Sequence, residues 1–185
     1  LDQSPFHFIG SLVPTQHEDL LKIPLAQFGT LSGERFAGCL AYRTRKVVFG
    51  HERTVVLTYN EHLLDGQLQG INASLQKARR KLDELQTSLR RRQEGRVKGG
   101  QSPTVQTVSR RVDTILSGQF LKSLLRCEVA GGAVPTLTYR TDTGAFSRLV
   151  RTHLGKTILF TDNDTWTNEE IVAGYRAQNQ IESAF

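Results

Sequence analysis

A heptad repeat of apolar residues in the middle of the chain most constrains the fold. The apolar side chains recur at spacings of three and four residues, which places them on one face of an α-helix. They are Leu64, Leu68, Ile71, Leu75, Ala78, Leu82, Leu85 and Leu89. The pattern predicts one long helix from about Glu61 to Arg92, although Gly66 and Gly70 weaken its start.

A second, shorter helix is predicted directly after the long one. Ser102 suits the N-cap and Pro103 suits the first helical position, so this helix is expected at about residues 103–117. Its apolar residues again follow helical spacing and are Val105, Val108, Val112 and Ile115. Two apolar seams joined by a polar turn predict an antiparallel helical hairpin. The alternative is that the long helix pairs with another copy of itself in a coiled coil, which would give a homodimer.

Runs of β-branched and aromatic residues predict strands on both sides of this hairpin. Before the hairpin these runs are residues 6–12, 39–44, 46–49 and 53–59, with a short helix around residues 19–21. After it they are residues 124–129, 136–140 and 157–161, and residues 146–154 are expected to extend a β-hairpin. The chain is therefore predicted to be an α+β protein, with a mixed β region around a long antiparallel helical hairpin.

The last predicted helix has clear start signals. Thr167 followed by Glu170 forms a capping box, and Trp166 can pack against Ile171. The polar turn before it contains Asp162 and Asp164, whose position fits a role in the turn or at the positive end of the helix dipole. Both aspartates are weaker candidates for a metal site than a carboxylate on the helix itself.

That helix presents three polar residues on one face. Tyr175, Gln178 and Glu182 are separated by three and four positions, so their side chains leave the helix on the same side. A carboxylate near the apolar face of a helix is costly to bury without a partner. A divalent metal ion is one such partner, and an arginine or a backbone amide is another. The helix pattern alone leaves these alternatives open.

Basic residues are concentrated in one window, residues 77–98. Nine cations and three acidic residues give this window a balance of +6, which equals the formal net charge of the whole chain. Such a cluster can neutralise nucleic-acid phosphates, and it can also be an ordinary solvated helix face. The nine cations are Lys77, Arg79, Arg80, Lys81, Arg90, Arg91, Arg92, Arg96 and Lys98.

Composition excludes several other classes of protein. A hydrophobic content of 38% and a charged content of 23% over 185 residues are typical of a globular protein, and no apolar run approaches a membrane span. Cys39 and Cys127 are too few and too isolated for a disulfide framework or a zinc site, which favours a reducing cytoplasm. The chain has no methionine and begins at Leu1, so we expect it to be an internal fragment of a longer protein.

The end of the chain resembles the end of the catalytic domain of bacterial insertion-sequence DDE transposases. The signature of this family is Tyr, two residues, Arg, three residues, Glu, six residues, Lys. Tyr175 and Glu182 match its spacing, Gln178 stands where the signature has Arg, and the Lys would fall beyond Phe185. The resemblance also includes residues 155–162, Trp166, Glu169, Glu170, Ile171 and residues 181–185. Residues 8–12, 42–44 and 48–60 are similar to the β-rich insertion of such transposases.

The resemblance implies a division of the chain into two parts. Residues 1–154 would form the β-rich insertion subdomain with its helical hairpin. Residues 155–185 would be the last strand and the catalytic helix of a ribonuclease-H-like core. The family's two catalytic aspartates would lie upstream of Leu1, so this fragment alone is predicted to be inactive.

The resemblance also implies an activity. The intact enzyme would cleave and join DNA at the ends of a mobile element by two-metal phosphodiester chemistry, in the bacterial cytoplasm at the nucleoid. Glu182 would be a ligand of Mg²⁺ or Mn²⁺, Tyr175 and Gln178 would complete the local site, and the basic window would contact DNA. The alternative is a non-catalytic basic nucleic-acid-binding or dimerisation module, in which Glu182 is an ordinary ion-paired residue.

Overall fold

A computed structural model describes residues 6–97 and 99–182, without the side chains of residues 179–182. It confirms the predicted α+β class. The chain groups into two compact units. Unit 1 consists of Leu1–Gln67 and Thr152–Phe185, and unit 2 consists of Leu68–Arg151.

Seven strands and six α-helices lie in the described part of the chain. The strands are β1 (Ile9–Leu12), β2 (Gly29–Thr30), β3 (Cys39–Val48), β4 (His51–Asn60), β5 (Leu125–Ala130), β6 (Thr136–Thr141) and β7 (Lys156–Thr161). The helices are α1 (Glu18–Leu21), α2 (Glu61–Gln93), α3 (Val105–Ile115), α4 (Leu121–Leu124), α5 (Thr143–Thr152) and α6 (Asn168–Glu182). None of the helices in these ranges combines the length and apolar character needed to cross a membrane.

Unit 1 is built on a five-stranded antiparallel sheet in the order β1-β7-β4-β3-β2. Both faces of its centre are covered, as the continuous apolar run in β4 requires. Val55 and Leu57 pack on one face with Ile158, against residues that include Leu21. The residue between them, Val56, packs on the opposite face with other residues of the core.

The strand β7 lies inside this sheet, between β1 and β4. Residues 152–182 therefore group with the first part of the chain. The boundaries of the two compact units differ from the expected boundary after residue 154, which concerns the parts of a transposase and stays a prediction. The assignment of β7 and α6 to a ribonuclease-H-like core also stays a prediction.

In unit 2 the apolar seam of α2 is buried as the heptad pattern predicts. Leu75, Leu82 and Leu89 are at most 4% exposed. The predicted hairpin is antiparallel, because the start of α3 at Thr104 lines a cleft with Leu89, while its end at Ile115 lines a cleft with Lys81. The seam is thus covered within its own unit, and a coiled coil through the same residues would have to displace that packing.

The hairpin of β5 and β6 also packs along α2. Side chains of α2 reach the backbone and the side chains of β6, with Gln86 Nε2 donating to the carbonyl of Leu137 at 2.8 Å. The hydroxyl of Tyr139 donates to Asp83 at 2.6 Å. Burial first, and then the hydrogen bond to this carboxylate, raise the pKa of Tyr139 to about 12.

The prediction for the start of α3 was wrong by two residues. Thr104 is the N-cap, not Ser102. The hydroxyl of Thr104 accepts from the N–H of Thr107 at 3.2 Å, and the hydroxyl of Thr107 accepts from the N–H of Thr104 at 2.9 Å. This reciprocal pair satisfies two amides that have no partner inside the helix. Pro103 precedes the cap and disfavours a helical conformation at Ser102.

The prediction that residues 146–154 extend a β-hairpin was also wrong. They belong mostly to the helix α5, which begins directly after β6. Asp142 caps it, since one carboxylate oxygen accepts from the N–H of Ala145 at 2.8 Å. The sequence Asp142-Thr143-Gly144, interpreted as a strand turn, is the start of a helix. Leu149 is the residue of α5 that is buried.

Candidate functional site

The strand β7 ends at a turn that is hydrogen-bonded to Phe8, near the start of the chain. One oxygen of Asp162 accepts from the N–H of Phe8 at 3.0 Å, and the other lies 3.6 Å from Nδ1 of His7. The hydroxyl of Thr161 donates to the carbonyl of Phe8 at 2.7 Å. Both oxygens of Asp162 therefore have partners within the protein, and the residue holds the turn.

Two arginines of β3 fasten the rest of the turn. Arg43 donates to the carbonyls of Asp164 and Trp166, at 2.8 and 2.6 Å. The carboxylate of Asp164 accepts from Arg45 at 2.5 Å and from the hydroxyl of Thr54 at 2.6 Å. The hydrogen bond from Arg45, followed by that from Thr54, holds the pKa of Asp164 below its usual value. Asp164 thus also has a structural role.

Asp164→Asn is expected to make the free energy of unfolding depend less on pH in the acidic range. Because the pKa is lowered in the folded state, the ionised carboxylate stabilises unit 1 above pH 3.8, its unfolded value, and this contribution is lost as the pH falls through the lower folded pKa. The carboxylate is half-exposed, so the effect is at most about 1 kcal/mol. Urea unfolding followed by Trp166 fluorescence from neutral to acidic pH checks it, and parallel curves for the two proteins would contradict it.

The start of α6 confirms the predicted capping box. The carboxylate of Glu170 accepts from the N–H of Thr167 at 2.7 Å, and the hydroxyl of Thr167 accepts from the N–H of Glu170 at 3.2 Å. Ile171 is fully buried on the sheet, and Trp166 packs against the same apolar cluster. The helix that carries Tyr175, Gln178 and Glu182 is therefore fixed at its first turn.

The three predicted site residues are all carried by α6. Tyr175 is partly buried against the core and lines a cleft of about 210 Å³ beside Cys39 and Asn60. Gln178 is exposed. Glu182 is the last residue of α6, and its side chain lies outside the described residues. The structure thus brings Tyr175 to a cleft, leaves Gln178 in solvent and does not test the role of Glu182.

Arg176, which the sequence did not single out, also lines this cleft. Its guanidinium donates to the carbonyl of Arg35 at 2.8 Å and to the sulfur of Cys39 at 2.9 Å. It also lies 5.5 Å from the centre of the Phe36 ring. Through these contacts Arg176 holds α6 against the start of β3 and the segment before it. The guanidinium of Arg176 is therefore occupied by contacts within the protein.

The described carboxylates do not fit a magnesium site. No group of three or more His, Cys, Asp or Glu residues within residues 6–97 and 99–178 is placed to hold a metal ion. One oxygen of Asp162 and both oxygens of Asp164 accept the hydrogen bonds described above, and the other oxygen of Asp162 lies 3.6 Å from Nδ1 of His7. A metal ion bound through Glu182 thus stays a prediction.

The basic window divides into paired and unpaired cations. Arg79 donates to the hydroxyl of Thr141 at 2.6 Å, and Arg80 and Arg96 lie 4.0 and 3.0 Å from Glu84 and Glu94. Lys98 lies outside the described residues. The remaining five have no ion pair in the part of the chain that the structure describes. They are Lys77, Lys81, Arg90, Arg91 and Arg92.

Two further cations belong to the same helical hairpin. Arg110 and Arg111 on α3 are exposed and make no ion pair among the described residues. They lie outside the basic window of residues 77–98, although two adjacent arginines are a visible signal in the sequence. The basic surface of unit 2 is therefore built from both helices.

No family model, no curated protein and no solved structure matches this chain. Membership of the DDE transposase family thus stays a prediction that rests on Tyr175, Glu182 and the segments named with them. The function has to be argued from the contacts and charges of the chain itself.

Proposed function

We propose that this chain is part of a DDE transposase that cleaves and joins DNA at the ends of a mobile insertion element. The observation that carries the proposal is the fixed placement of α6 directly after the inner strand β7. Its capping box and the buried Ile171 hold the helix on the sheet. Glu182 follows Tyr175 on the same helix face, at the spacing of the family signature. In this proposal the helix carries Glu182 as the metal-binding carboxylate.

The unpaired cations of unit 2 support the DNA-binding part of the proposal. Cations without a carboxylate partner are available to neutralise phosphates, and binding of this kind weakens as salt is raised. Lys81 and Arg92 on α2 have their counterparts in Arg110 and Arg111 on α3. The proposed partner is therefore DNA, both at the element ends and at the target.

Metal chemistry belongs, in this proposal, to the longer protein. Mg²⁺ or Mn²⁺ prefers oxygen ligands, which Glu182 and carboxylates beyond this chain would supply. Among the described residues no group of three or more potential ligand residues is placed to hold a metal ion. A cytoplasmic bacterial location follows from the same proposal, since the DNA substrate is there.

The proposal is tested by incubating the full-length protein with duplex DNA that carries one end of the mobile element in which the gene lies. Strand cleavage is expected with Mg²⁺ and not with EDTA. The 185-residue chain alone is expected to cut nothing under either condition. Metal-dependent cleavage by the chain alone, or its absence from the full-length protein, would contradict the proposal.

A second candidate is a non-catalytic nucleic-acid-binding module built on α2 and α3. The unpaired cations of unit 2 favour it, and it needs no metal site. It predicts DNA binding without cleavage and no effect of changes at Glu182. The cleavage experiment therefore separates the two candidates.

A further inference from the structure

The surface between α2 and α3 is a continuous cleft. One part, of about 520 Å³, is lined by Lys81 and Thr114, and the adjoining part, of about 460 Å³, is lined by Arg92 and Thr104. Four residues line both parts, so the two parts join. They are Leu85, Ser88, Arg110 and Arg111.

The cleft is strongly positive. Lys81, Arg92, Arg110 and Arg111 face it, and none of them has an ion pair among the described residues. The single carboxylate that lines it, Glu84, lies 4.0 Å from the guanidinium of Arg80. Like charges around one cleft repel each other, so a bound polyanion would lower the energy of all four.

The base of the cleft is apolar, with hydroxyl groups beside it. Leu85, Leu89 and Val108 lie at the bottom and are buried. Ser88 is exposed at the junction of the two parts and has no other hydrogen-bond partner among the described residues. A phosphodiester backbone presents charged oxygens to such cations and hydroxyls, and the less polar edges of its sugars to an apolar base.

The length of the cleft favours a polymer over a single phosphate. Lys81 and Arg92 are 11 residues apart on α2, which at about 1.5 Å per residue is roughly 16 Å. At about 3.4 Å of axial rise per phosphate in one strand of duplex DNA, this length corresponds to roughly five nucleotides. A single phosphate would reach the cations at only one end.

We propose that the cleft between α2 and α3 binds the sugar-phosphate backbone of duplex DNA, with Arg110 and Arg111 of α3 opposite Lys81 and Arg92 of α2. The inference rests on the DNA binding proposed for the helical hairpin. It adds the two arginines of α3, and it places the contact in a cleft that Lys77, Arg90 and Arg91 do not line.

The experiment measures binding of a fluorescent random-sequence duplex to the 185-residue chain by anisotropy, between about 50 and 200 mM salt. The double variant Arg110→Gln/Arg111→Gln is expected to bind roughly tenfold or more weakly at about 150 mM salt. It is also expected to reduce the slope of log K against log salt by about 2. Both arginines are exposed, so circular dichroism and the melting temperature should not change.

Arg140→Gln/Arg151→Gln is the matched control. It removes the same charge from exposed positions of unit 2 that do not line the cleft, and it should change binding little. Equal weakening by both double variants would overturn the inference. So would normal binding by Arg110→Gln/Arg111→Gln, in which case DNA binding by the hairpin still stands. No duplex binding by the unmodified chain would remove the hairpin from the proposed function as well, while cleavage by the full-length protein would still test the catalytic part.

Discussion

Full-length protein carrying Glu182→Gln is expected to bind element-end DNA normally and to lose metal-dependent cleavage by more than about a hundredfold. Glutamine keeps the size of the side chain but removes the negative charge that a Mg²⁺ ligand needs. Loss of a residue that merely supports a metal ligand costs roughly 10–100-fold, so loss of a ligand itself should cost more. The measurements are the rate of strand cleavage at saturating Mg²⁺ and the DNA affinity in EDTA.

Glu128→Gln is the control for this prediction. Glu128 is exposed on β5 and has no ion pair among the described residues, so its change removes one carboxylate without touching α6. Cleavage at the wild-type rate is expected. Normal cleavage by Glu182→Gln would instead exclude Glu182 as a catalytic ligand and favour the non-catalytic module.

Gly155→Ala is expected to destabilise unit 1 by about 2–4 kcal/mol. Gly155 has a φ of +74°, which favours glycine, and an added Cβ would lie 2.8 Å from the Tyr59 ring and 3.1 Å from Cβ of Leu64. The backbone cannot move away freely. Its N–H donates to Gln67 at 2.7 Å, and its carbonyl accepts from the N–H of Asn60 at 2.8 Å. Urea unfolding followed by Trp166 fluorescence measures the loss.

Two other glycines of unit 1 separate the effect of the positive φ from the effect of the contact with Tyr59. Gly50 also has a positive φ, +82°, but an added Cβ there meets nothing within 4 Å, so Gly50→Ala should cost only about 1–2 kcal/mol. Gly66 lies in α2 in open space, and Gly66→Ala should stabilise by about 0.5–1 kcal/mol. Equal losses for Gly155→Ala and Gly50→Ala would show that the contact with Tyr59 has no effect.

The sequence predicts best those elements whose pattern is long and local. The heptad seam predicts α2 to within one residue, and the capping box of Thr167 and Glu170 predicts the start of α6. Prediction from the sequence fails where two local interpretations compete. Asp142 suits a turn as well as an N-cap, and only the packing of Leu149 in α5 decides between them.

The surroundings of the candidate site could not be predicted, because they depend on contacts between distant residues. Arg176 and Cys39 are 137 positions apart, and no spacing rule links them. Arg110 of α3 and Lys81 of α2 line one cleft because the two helices pack antiparallel. Which residues face each other across the hairpin is determined only once both helices are in place. The catalytic interpretation of Glu182 comes from the motif and not from any contact that could be described.

The position of β7 in the sheet has a consequence for how the protein is made. Its neighbour β4 ends at Asn60, and 95 residues lie between Asn60 and Lys156, where β7 begins. At a synthesis rate of about 5–20 residues per second, one edge of β4 is without its partner strand β7 for roughly 5–20 seconds. That edge belongs to a strand of which Val55, Val56 and Leu57 are completely buried in the finished sheet. The nascent chain therefore exposes an apolar strand edge, the kind of surface that chaperones bind and that promotes aggregation, until unit 2 has been synthesised.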